Sequence, residues 1–237
     1  MPIATFLGTL GSFLAFCLQL SPFPTMIRGL KTGSILSLTI SYFIMGIGGS
    51  ILWIVFGLSI NDIFIWGVNL VGVTLFTIYL NIFIYVECEK KTFIIANGGL
   101  FMEFIIAYNF FSGNLCLNIA VVFACVWQSV TVITMRKALR EKDDKYIDIL
   151  LACVSLSNFI DWIFYGIIIG KFMISVPNIF CGFFCALNVY IYFWCKGYLK
   201  NDNLGILLMK KMFRVEEDEK DFINDNNLKE KSFLNDI

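Results

Sequence analysis

Seven stretches of about 20 apolar residues restrict the fold of this chain more than any other feature. The chain has 237 residues, of which 58% are hydrophobic and only 15% charged, whereas a soluble domain of this size needs far more surface charge. A helix over each stretch would cross the hydrocarbon core and satisfy its own backbone hydrogen bonds. We therefore predict an all-α integral membrane protein. Its seven helices are expected over residues 4–26, 35–57, 63–85, 93–111, 117–135, 147–169 and 173–195.

The cationic residues predict how the chain is oriented in the membrane. Lys and Arg follow the first, third, fifth and seventh predicted helices, as in Arg28–Lys31, Lys90–Lys91 and 136–145. Because such residues are retained on the cytosolic side, the N-terminus is expected outside and the C-terminus in the cytosol. The first apolar stretch has no cationic segment before it and no A-x-A-like cleavage site, so we expect a retained helix.

The residue inventory excludes several kinds of catalytic site. The sequence has no His, and its eight Cys include no C-x-x-C pair. A His metal ligand, a His proton relay and a Ser-His-Asp triad are therefore excluded, and the Cys residues are interpreted as small buried apolar residues. We expect no enzyme, no cofactor, no metal site and no nucleic-acid partner.

One pattern occurs twice at an offset of 109 positions. Residues 53–69 and 162–178 share the frame W-x3-G-x11-N. The matched residues are Trp53 with Trp162, Gly57 with Gly166 and Asn69 with Asn178. The chain therefore contains an internal duplication.

The duplication predicts how the helices are grouped. Two three-helix units, 1–86 and 117–195, would be separated by a linker helix within 87–116 and followed by a cytosolic tail, 196–237. Three helices end on the opposite side from where they begin, so one extra helix gives both units the same orientation. Parallel repeats of this kind form carriers with a substrate site at their interface near the membrane midplane.

The stretch SPFPTMIRGLKTGS (21–34), the doubled frame and the three-one-three plan together resemble the SWEET sugar transporters. The resemblance covers about residues 4–195. It implies that Asn69 and Asn178 bind the sugar together with Trp53 and Trp162. Carboxamides donate and accept hydrogen bonds, and indole rings cover the C–H face of a sugar. The alternative is that the Trp rings only pack and the Asn side chains only join helices.

The resemblance also implies that residues one turn before Pro22 select the size of the sugar. Leu18 occupies this position in the first repeat, and Trp127 or Val126 is its counterpart in the second. If Trp127 faces the cavity, a monosaccharide would fit better than a disaccharide. If it faces lipid or a neighbouring helix, it has no such effect.

The family's four helix-kinking prolines are mostly replaced in this chain. Only Pro22 remains, and the other three hinge positions are Tyr42, Thr131 and Asp148. Because proline kinks a helix by removing a hydrogen bond, gating is expected to differ here or to be slow.

Three charged residues are further candidates. Asp62 and Lys171 occupy equivalent positions at the outer ends of the two repeats, where they would form an ion pair that closes the outer side, or simply two solvated charges. Asp161 lies within a predicted span, which makes it a candidate proton site.

We predict a facilitative sugar uniporter that works by alternating access and carries a glucose-like hexose, with a disaccharide as the larger alternative. A proton-coupled carrier, a non-transporting seven-helix sugar sensor and a PQ-loop amino-acid carrier remain alternatives. The expected location is the plasma membrane, with an endomembrane as the alternative. Membrane lipid and further copies of the chain are its other expected partners.

Overall fold

A computed structural model of the chain describes residues 2–35, 40–87, 90–110, 112–200 and 203–215, apart from the side chains of residues 90–96, 110, 125 and 127–130. The regular structure in these residues is helical. Its helices are α1 Pro2–Leu20, α2 Phe23–Thr32, α3 Ile40–Ser59, α4 Ile63–Glu87, α5 Lys90–Phe110, α6 Gly113–Glu141, α7 Ile149–Ile168, α8 Phe172–Cys195 and α9 Leu204–Met212. One 3₁₀ turn, Asp144–Tyr146, lies between α6 and α7.

The long helices confirm the predicted all-helical membrane fold. α1, α3, α4, α5, α6, α7 and α8 each overlap one of the seven predicted spans. Among the residues the structure describes, five segments are both long and apolar enough to cross a membrane: Pro2–Thr32, Ile40–Ser59, Ile63–Glu87, Ile149–Ile168 and Phe172–Cys195. α6 contains a shorter apolar segment, Gly113–Ala124. Residues 36–39 of the predicted span 35–57, and residue 111 at the end of the span 93–111, lie outside the described residues.

The first predicted span, 4–26, is interrupted in the structure. α1 ends at Leu20, and α2 begins at Phe23 directly after the buried Pro22. A proline has no backbone N–H to continue the helix, but it is well tolerated where a helix begins. The Pro22 carbonyl accepts the N–H of Met26 at 3.0 Å, which closes the first turn of α2. The single retained proline therefore marks a break between two helices.

Packing divides the chain into two compact units, and each is described by itself. The first comprises residues 1–130 and 150–186, and the second comprises residues 131–149 and 187–237. In the first unit α4 packs against α1, α2, α3 and α5. The core of this unit includes the fully buried Phe43, Tyr79 and Leu80.

The frame W-x3-G-x11-N has the same local structure in both repeats. At the end of α3 the N–H of Asp62 donates to the carbonyl of Gly57 at 2.9 Å, and the N–H of Asn61 donates to Leu58 at 3.2 Å. These two bonds form a Schellman motif, which requires a left-handed residue after the helix. Asn61 has that conformation, with φ +55°.

The end of α7 repeats this motif at the same offset. Lys171 donates to Gly166 at 2.8 Å, Gly170 donates to Ile167 at 3.1 Å, and Gly170 has φ +70°. The frame glycine therefore supplies the carbonyl that closes each helix, and the spacing sets where the next helix begins.

Each frame glycine also lets the next helix approach closely. A Cβ on Gly57 would lie 2.7 Å from the backbone nitrogen of Trp66, and one on Gly166 would lie 2.6 Å from the hydroxyl of Ser175. No side chain fits at either place without displacing the neighbouring helix. The frame thus fixes both the turn and the helix contact.

The second unit contains two of the predicted hinge residues. Thr131 is half-buried in α6, where its carbonyl accepts the hydroxyl of Thr134 at 2.9 Å. Asp148 is exposed directly before α7, because α7 begins at Ile149 rather than at the predicted residue 147. Asp148 is therefore not inside a helix and cannot bend one.

Ion pairs organise the segment between α6 and α7. Lys145 lies 2.7 Å from Asp143, and Lys196 lies 2.7 Å from Asp144. The hydrogen bond from Lys145 lowers the pKa of the Asp143 carboxyl. The hydrogen bond from Lys196 to Asp144 raises the pKa of Lys196.

We predict that Gly57→Ala destabilises the protein while Gly49→Ala, in the same helix, does not. The added methyl at Gly57 must displace the backbone of α4, and overpacking of this kind costs about 1–3 kcal/mol. Gly49 has open space, where Ala in place of Gly gains roughly 0.5–1 kcal/mol. Thermal unfolding of the purified variants in detergent measures the difference, and equal melting temperatures would contradict it.

Candidate functional site

A cavity of about 190 Å³ lies within the first compact unit. Ten of its lining residues come from the two repeats as equivalent pairs, each 109 positions apart. These pairs are Ala15 with Ala124, Trp53 with Trp162, Ile65 with Ile174, Val68 with Pro177 and Asn69 with Asn178. The cavity therefore has approximate two-fold symmetry in its lining residues.

The two cavity asparagines are held in the same way. Asn69 donates through Nδ2 to the carbonyl of Ile65 at 2.8 Å, and Asn178 donates to that of Ile174 at 2.7 Å. Each bond runs to the residue four positions earlier in the same helix, which holds the carboxamide against the helix. Among the described side chains neither carboxamide has another partner, so each retains an acceptor oxygen and an N–H for a ligand.

The two cavity tryptophans are also held alike. Trp53 packs edge-on against Phe56 with ring centroids 5.9 Å apart, and Trp162 packs edge-on against Tyr165 at 5.3 Å. Trp162 is buried, whereas Trp53 is half-buried. Each aromatic partner lies one turn farther along the same helix. Both indoles line the cavity, and each is held by an edge-on contact with an aromatic ring of its own helix.

Two polar residues that the sequence analysis missed also line the cavity. Gln19 of α1 donates through Nε2 to the carbonyl of Val68 at 3.2 Å. Its Oε1, like Oδ1 of the buried Asn158 in α7, is buried without a partner in the described part of the chain. Helix periodicity could have identified Asn158, because it lies four residues before Trp162 and shares its face.

Neither of the two predicted size-selecting residues whose side chains are described lines the cavity. Leu18 does not line it; Ala15 and Gln19, one helical turn apart on α1, do. Val126 is exposed and does not line it either. The side chain of Trp127 lies outside the described residues. The residues of α1 that line the cavity are therefore Ala15 and Gln19 rather than Leu18.

Asp62, one member of the expected outer ion pair, bonds to a tyrosine in this structure. The Asp62 carboxylate accepts the hydroxyl of Tyr165 through Oδ2 at 2.6 Å. Its Oδ1 accepts the N–H of Phe64 at 3.0 Å, which caps the start of α4. Lys171 is exposed, and no ion pair joins it to Asp62 among the described residues. The cap directs the carboxylate toward α7, where Tyr165 is the available donor.

Aromatic contacts surround this hydrogen bond. Phe64 packs edge-on against Tyr165 with ring centroids 6.1 Å apart. The Phe64 ring also lies against Gly8 of α1, where an added Cβ would come within 2.5 Å of it. Tyr165 lies one turn beyond Trp162 toward the end of α7. Helices α1, α4 and α7 therefore meet at this end, one turn past the cavity wall.

Asp161 is buried beside the cavity but does not line it. Its side chain contacts Gly11 of α1, where no larger residue would fit. Only 5% of Asp161 is exposed, and neither carboxylate oxygen has a hydrogen-bond partner among the described residues. An acid in this setting must be neutral or bind a cation, because a bare charge costs too much there.

The retained and replaced hinge residues of the first unit lie apart from the cavity lining. Pro22 is buried at the break between α1 and α2. Tyr42 is half-buried, and its ring contacts Phe43 at 5.4 Å and Phe76 at 6.0 Å. Tyr42 therefore packs α3 against α4 at one of the replaced hinge positions.

The described residues contain no group of three or more Cys, Asp or Glu side chains placed to hold a metal ion. The cavity instead offers carboxamides and aromatic rings. This arrangement suits an uncharged ligand with hydroxyl groups and an apolar face.

We predict that Tyr165→Phe lowers the stability of the protein while Tyr85→Phe does not. The first change keeps the ring contacts and removes the hydrogen bond to the Asp62 carboxylate, and hydrogen bonds to charged groups contribute about 1.5–3 kcal/mol. Tyr85 is 83% exposed, so its hydroxyl contributes little. Thermal unfolding in detergent provides the test. A Tyr165→Phe protein as stable as wild type would show that the bond contributes nothing.

Comparison with known proteins places this cavity in a recognisable fold. Residues 5–91 match a family described as "Sugar efflux transporter for intercellular exchange". The chain is 26% identical to the bidirectional sugar transporter SWEET7b of Oryza sativa subsp. japonica, over 80% of this chain and 77% of that protein. It is also 26% identical to SWEET14 of Arabidopsis thaliana, over 83% of this chain and 74% of that protein. A solved eukaryotic SWEET transporter superposes with a TM-score of 0.73 and 18% identity, covering 82% of this chain and 97% of the other.

Proposed function

We propose that this chain, a relative of the SWEET sugar transporters over about four fifths of its length, moves a monosaccharide across a membrane by facilitated diffusion. The observation that carries the proposal is the paired lining of one cavity by Trp53, Trp162, Asn69 and Asn178. Two rings and two carboxamides from opposite repeats match the two chemical faces of a sugar ring.

The cavity chemistry supports a neutral, hydroxyl-rich substrate. The carboxamides of Asn69 and Asn178 would each accept from one sugar hydroxyl and donate to another. The indoles of Trp53 and Trp162 would cover the C–H faces of the ring. Gln19 and Asn158 add further polar groups to the lining. No residue is required to form or break a covalent bond.

The volume of the cavity supports a small sugar. Pockets that take drug-sized ligands measure about 300–1,000 Å³, whereas this one measures about 190 Å³. A single sugar ring suits that volume better than two. The proposed substrate is therefore a glucose-like hexose.

Transport would proceed by alternating exposure of the cavity. In this proposal the three-helix units 1–86 and 117–195 rock about the cavity, and the helix within 87–116 links them. The break at Pro22 would allow α2 to move relative to α1. At the outer end, the bond from Tyr165 to Asp62 would have to break when that side opens. The sugar gradient supplies the direction, since uniport needs only end states of similar free energy.

The proposal places the N-terminus outside, the C-terminus in the cytosol and the protein in the plasma membrane. The positions of the Lys and Arg residues support this orientation through the positive-inside rule. The choice of the plasma membrane rests only on the proposed transport role.

We predict that the double variant Asn69→Ala/Asn178→Ala lowers glucose transport about tenfold or more. Each substitution removes side-chain hydrogen bonds of ~0.5–1.5 kcal/mol, and 1.4 kcal/mol corresponds to tenfold. The measurement is uptake of labelled glucose, and of labelled sucrose as the disaccharide, into proteoliposomes. Sucrose uptake by the wild type should be under about a tenth of glucose uptake, since the cavity is small.

Asn109→Ala is the matched control for this experiment. Asn109 also donates to the carbonyl four residues earlier, Ile105, at 2.9 Å. It is exposed and does not line the cavity, so its loss should leave uptake unchanged. Equal uptake by the double variant and this control would contradict the proposal. Glucose binding without uptake by the wild type would identify a sensor rather than a carrier.

Proton-coupled transport is a second candidate, favoured by the buried and unpartnered Asp161. We predict for the uniporter that sugar inside the vesicles stops at the outside concentration and that an imposed pH gradient leaves this level unchanged. Coupling through Asp161 predicts accumulation above that concentration when protons flow inward. Asp161→Asn would then abolish accumulation but not equilibration, because the amide is isosteric and cannot release a proton.

A further inference from the structure

α9, a helix of nine residues in the second compact unit, has two different apolar faces. Its inner face consists of Ile206, Met209 and Phe213, which are 0%, 5% and 8% exposed. Its outer face consists of Leu204, Leu207, Leu208, Lys211 and Met212. The apolar members of this outer face are between 45% and 71% exposed. Both sets follow helical spacing. The rest of the protein covers the inner face, and the outer face is exposed.

The start and the last turn of α9 are held by contacts with α8. The hydroxyl of Tyr190 in α8 donates to Oδ1 of Asn203 at 2.5 Å, and the same Oδ1 accepts the N–H of Gly205 at 2.9 Å, capping the helix. In the last turn Lys210 lies 5.4 Å from the ring of Trp194 in α8. These contacts hold α9 in one orientation relative to the end of α8, so the same side chains of α9 stay exposed.

The position of α9 along the chain places it near a membrane surface. α8 has 24 residues, a length of about 36 Å at 1.5 Å per residue, against a hydrocarbon core of about 30 Å. Its ends must therefore reach the headgroup region. The bond from Tyr190, five residues before the end of α8, returns the start of α9 to that level.

The positive charges of α9 favour a membrane surface that carries negative charge. Residues 203–215 contain Lys210, Lys211 and Arg214 and no Asp or Glu. Arg136 of α6 adds a fourth cation beside them, donating to the carbonyl of Arg214 at 3.5 Å. A helix with an exposed apolar face and a cationic end partitions into the interface of anionic bilayers, where each cation adds to the attraction.

We propose that the outer face of α9 lies in the interface of a bilayer with anionic headgroups. The leucines insert among the upper parts of the lipid chains, and Lys211 and Arg214 contact the negatively charged headgroups. A second copy of the chain is a poorer occupant. A symmetric contact through this face would bring two Lys211 residues together in an apolar setting, where like charges are costly.

Photo-crosslinking in the full-length protein tests this proposal without any sugar. Leu208 is replaced by a benzoyl-phenylalanine residue, and the protein is reconstituted into vesicles of phosphatidylcholine alone or with a quarter phosphatidylserine. The exposed Lys145 is replaced in the same way as a control. We expect lipid adducts, detected by mass spectrometry, at least fivefold more abundant from Leu208 than from Lys145. Phosphatidylserine should raise the yield from Leu208 several-fold.

Charge variants complete the test. Lys211→Gln/Arg214→Gln, with both side chains exposed, should reduce the adduct in phosphatidylserine vesicles to the level seen with phosphatidylcholine alone. The melting temperature checks that each variant is folded, and a probe at Leu204 repeats the measurement where the Leu208 variant is not. A crosslink to a second copy or to residues 216–237 would overturn the proposal. An adduct yield indifferent to phosphatidylserine and to both substitutions would overturn it as well.

Discussion

In a chain that lies mostly in lipid, every polar group must find its partner within the protein, because the surroundings supply none. Helices meet this requirement for the backbone, and the side chains must meet it by bonding to helix carbonyls or to one another. Asn69 and Asn178 do so by donating to the carbonyls of their own helices. Asp62 does so by capping α4 and accepting from Tyr165. Among the described residues, Gln19 and Asn158 line the cavity with a buried oxygen that has no partner, and the unpartnered Asp161 lies beside it.

The duplicated frame builds the same local structure in both repeats, whereas other cavity and buried residues differ between the two copies. Both repeats close a helix with a Schellman motif and place an Asn in the next helix. The buried polar residues Asn158 and Asp161 have Gly49 and Leu52 at the equivalent positions of the first repeat. Pro177, inside α8, has Val68 as its counterpart. The cavity is therefore symmetric in outline and asymmetric in its polar groups.

The helices, the doubled frame and four cavity residues could be predicted from the sequence, since hydropathy and spacing depend on local physics. The break between α1 and α2 could not, because the apolar run continues past Pro22 without a change in hydropathy. Leu18 was implied by its position one turn before Pro22, and an apolar run does not reveal which side of such a helix faces a cavity. The bond from Tyr165 to Asp62 could not be predicted, because opposite charge is visible in a sequence, whereas the direction of a capped carboxylate is not.

The two oxygens of the Asp62 carboxylate accept hydrogen bonds from two different helices. Oδ1 caps the start of α4 by accepting a backbone N–H, and Oδ2 accepts the hydroxyl of Tyr165 in α7. Separating α4 from α7 therefore exposes one oxygen to water and leaves the first turn of α4 intact. One hydroxyl donor is therefore the hydrogen-bond link from α7 to this carboxylate, and that bond can break and re-form without unwinding either helix.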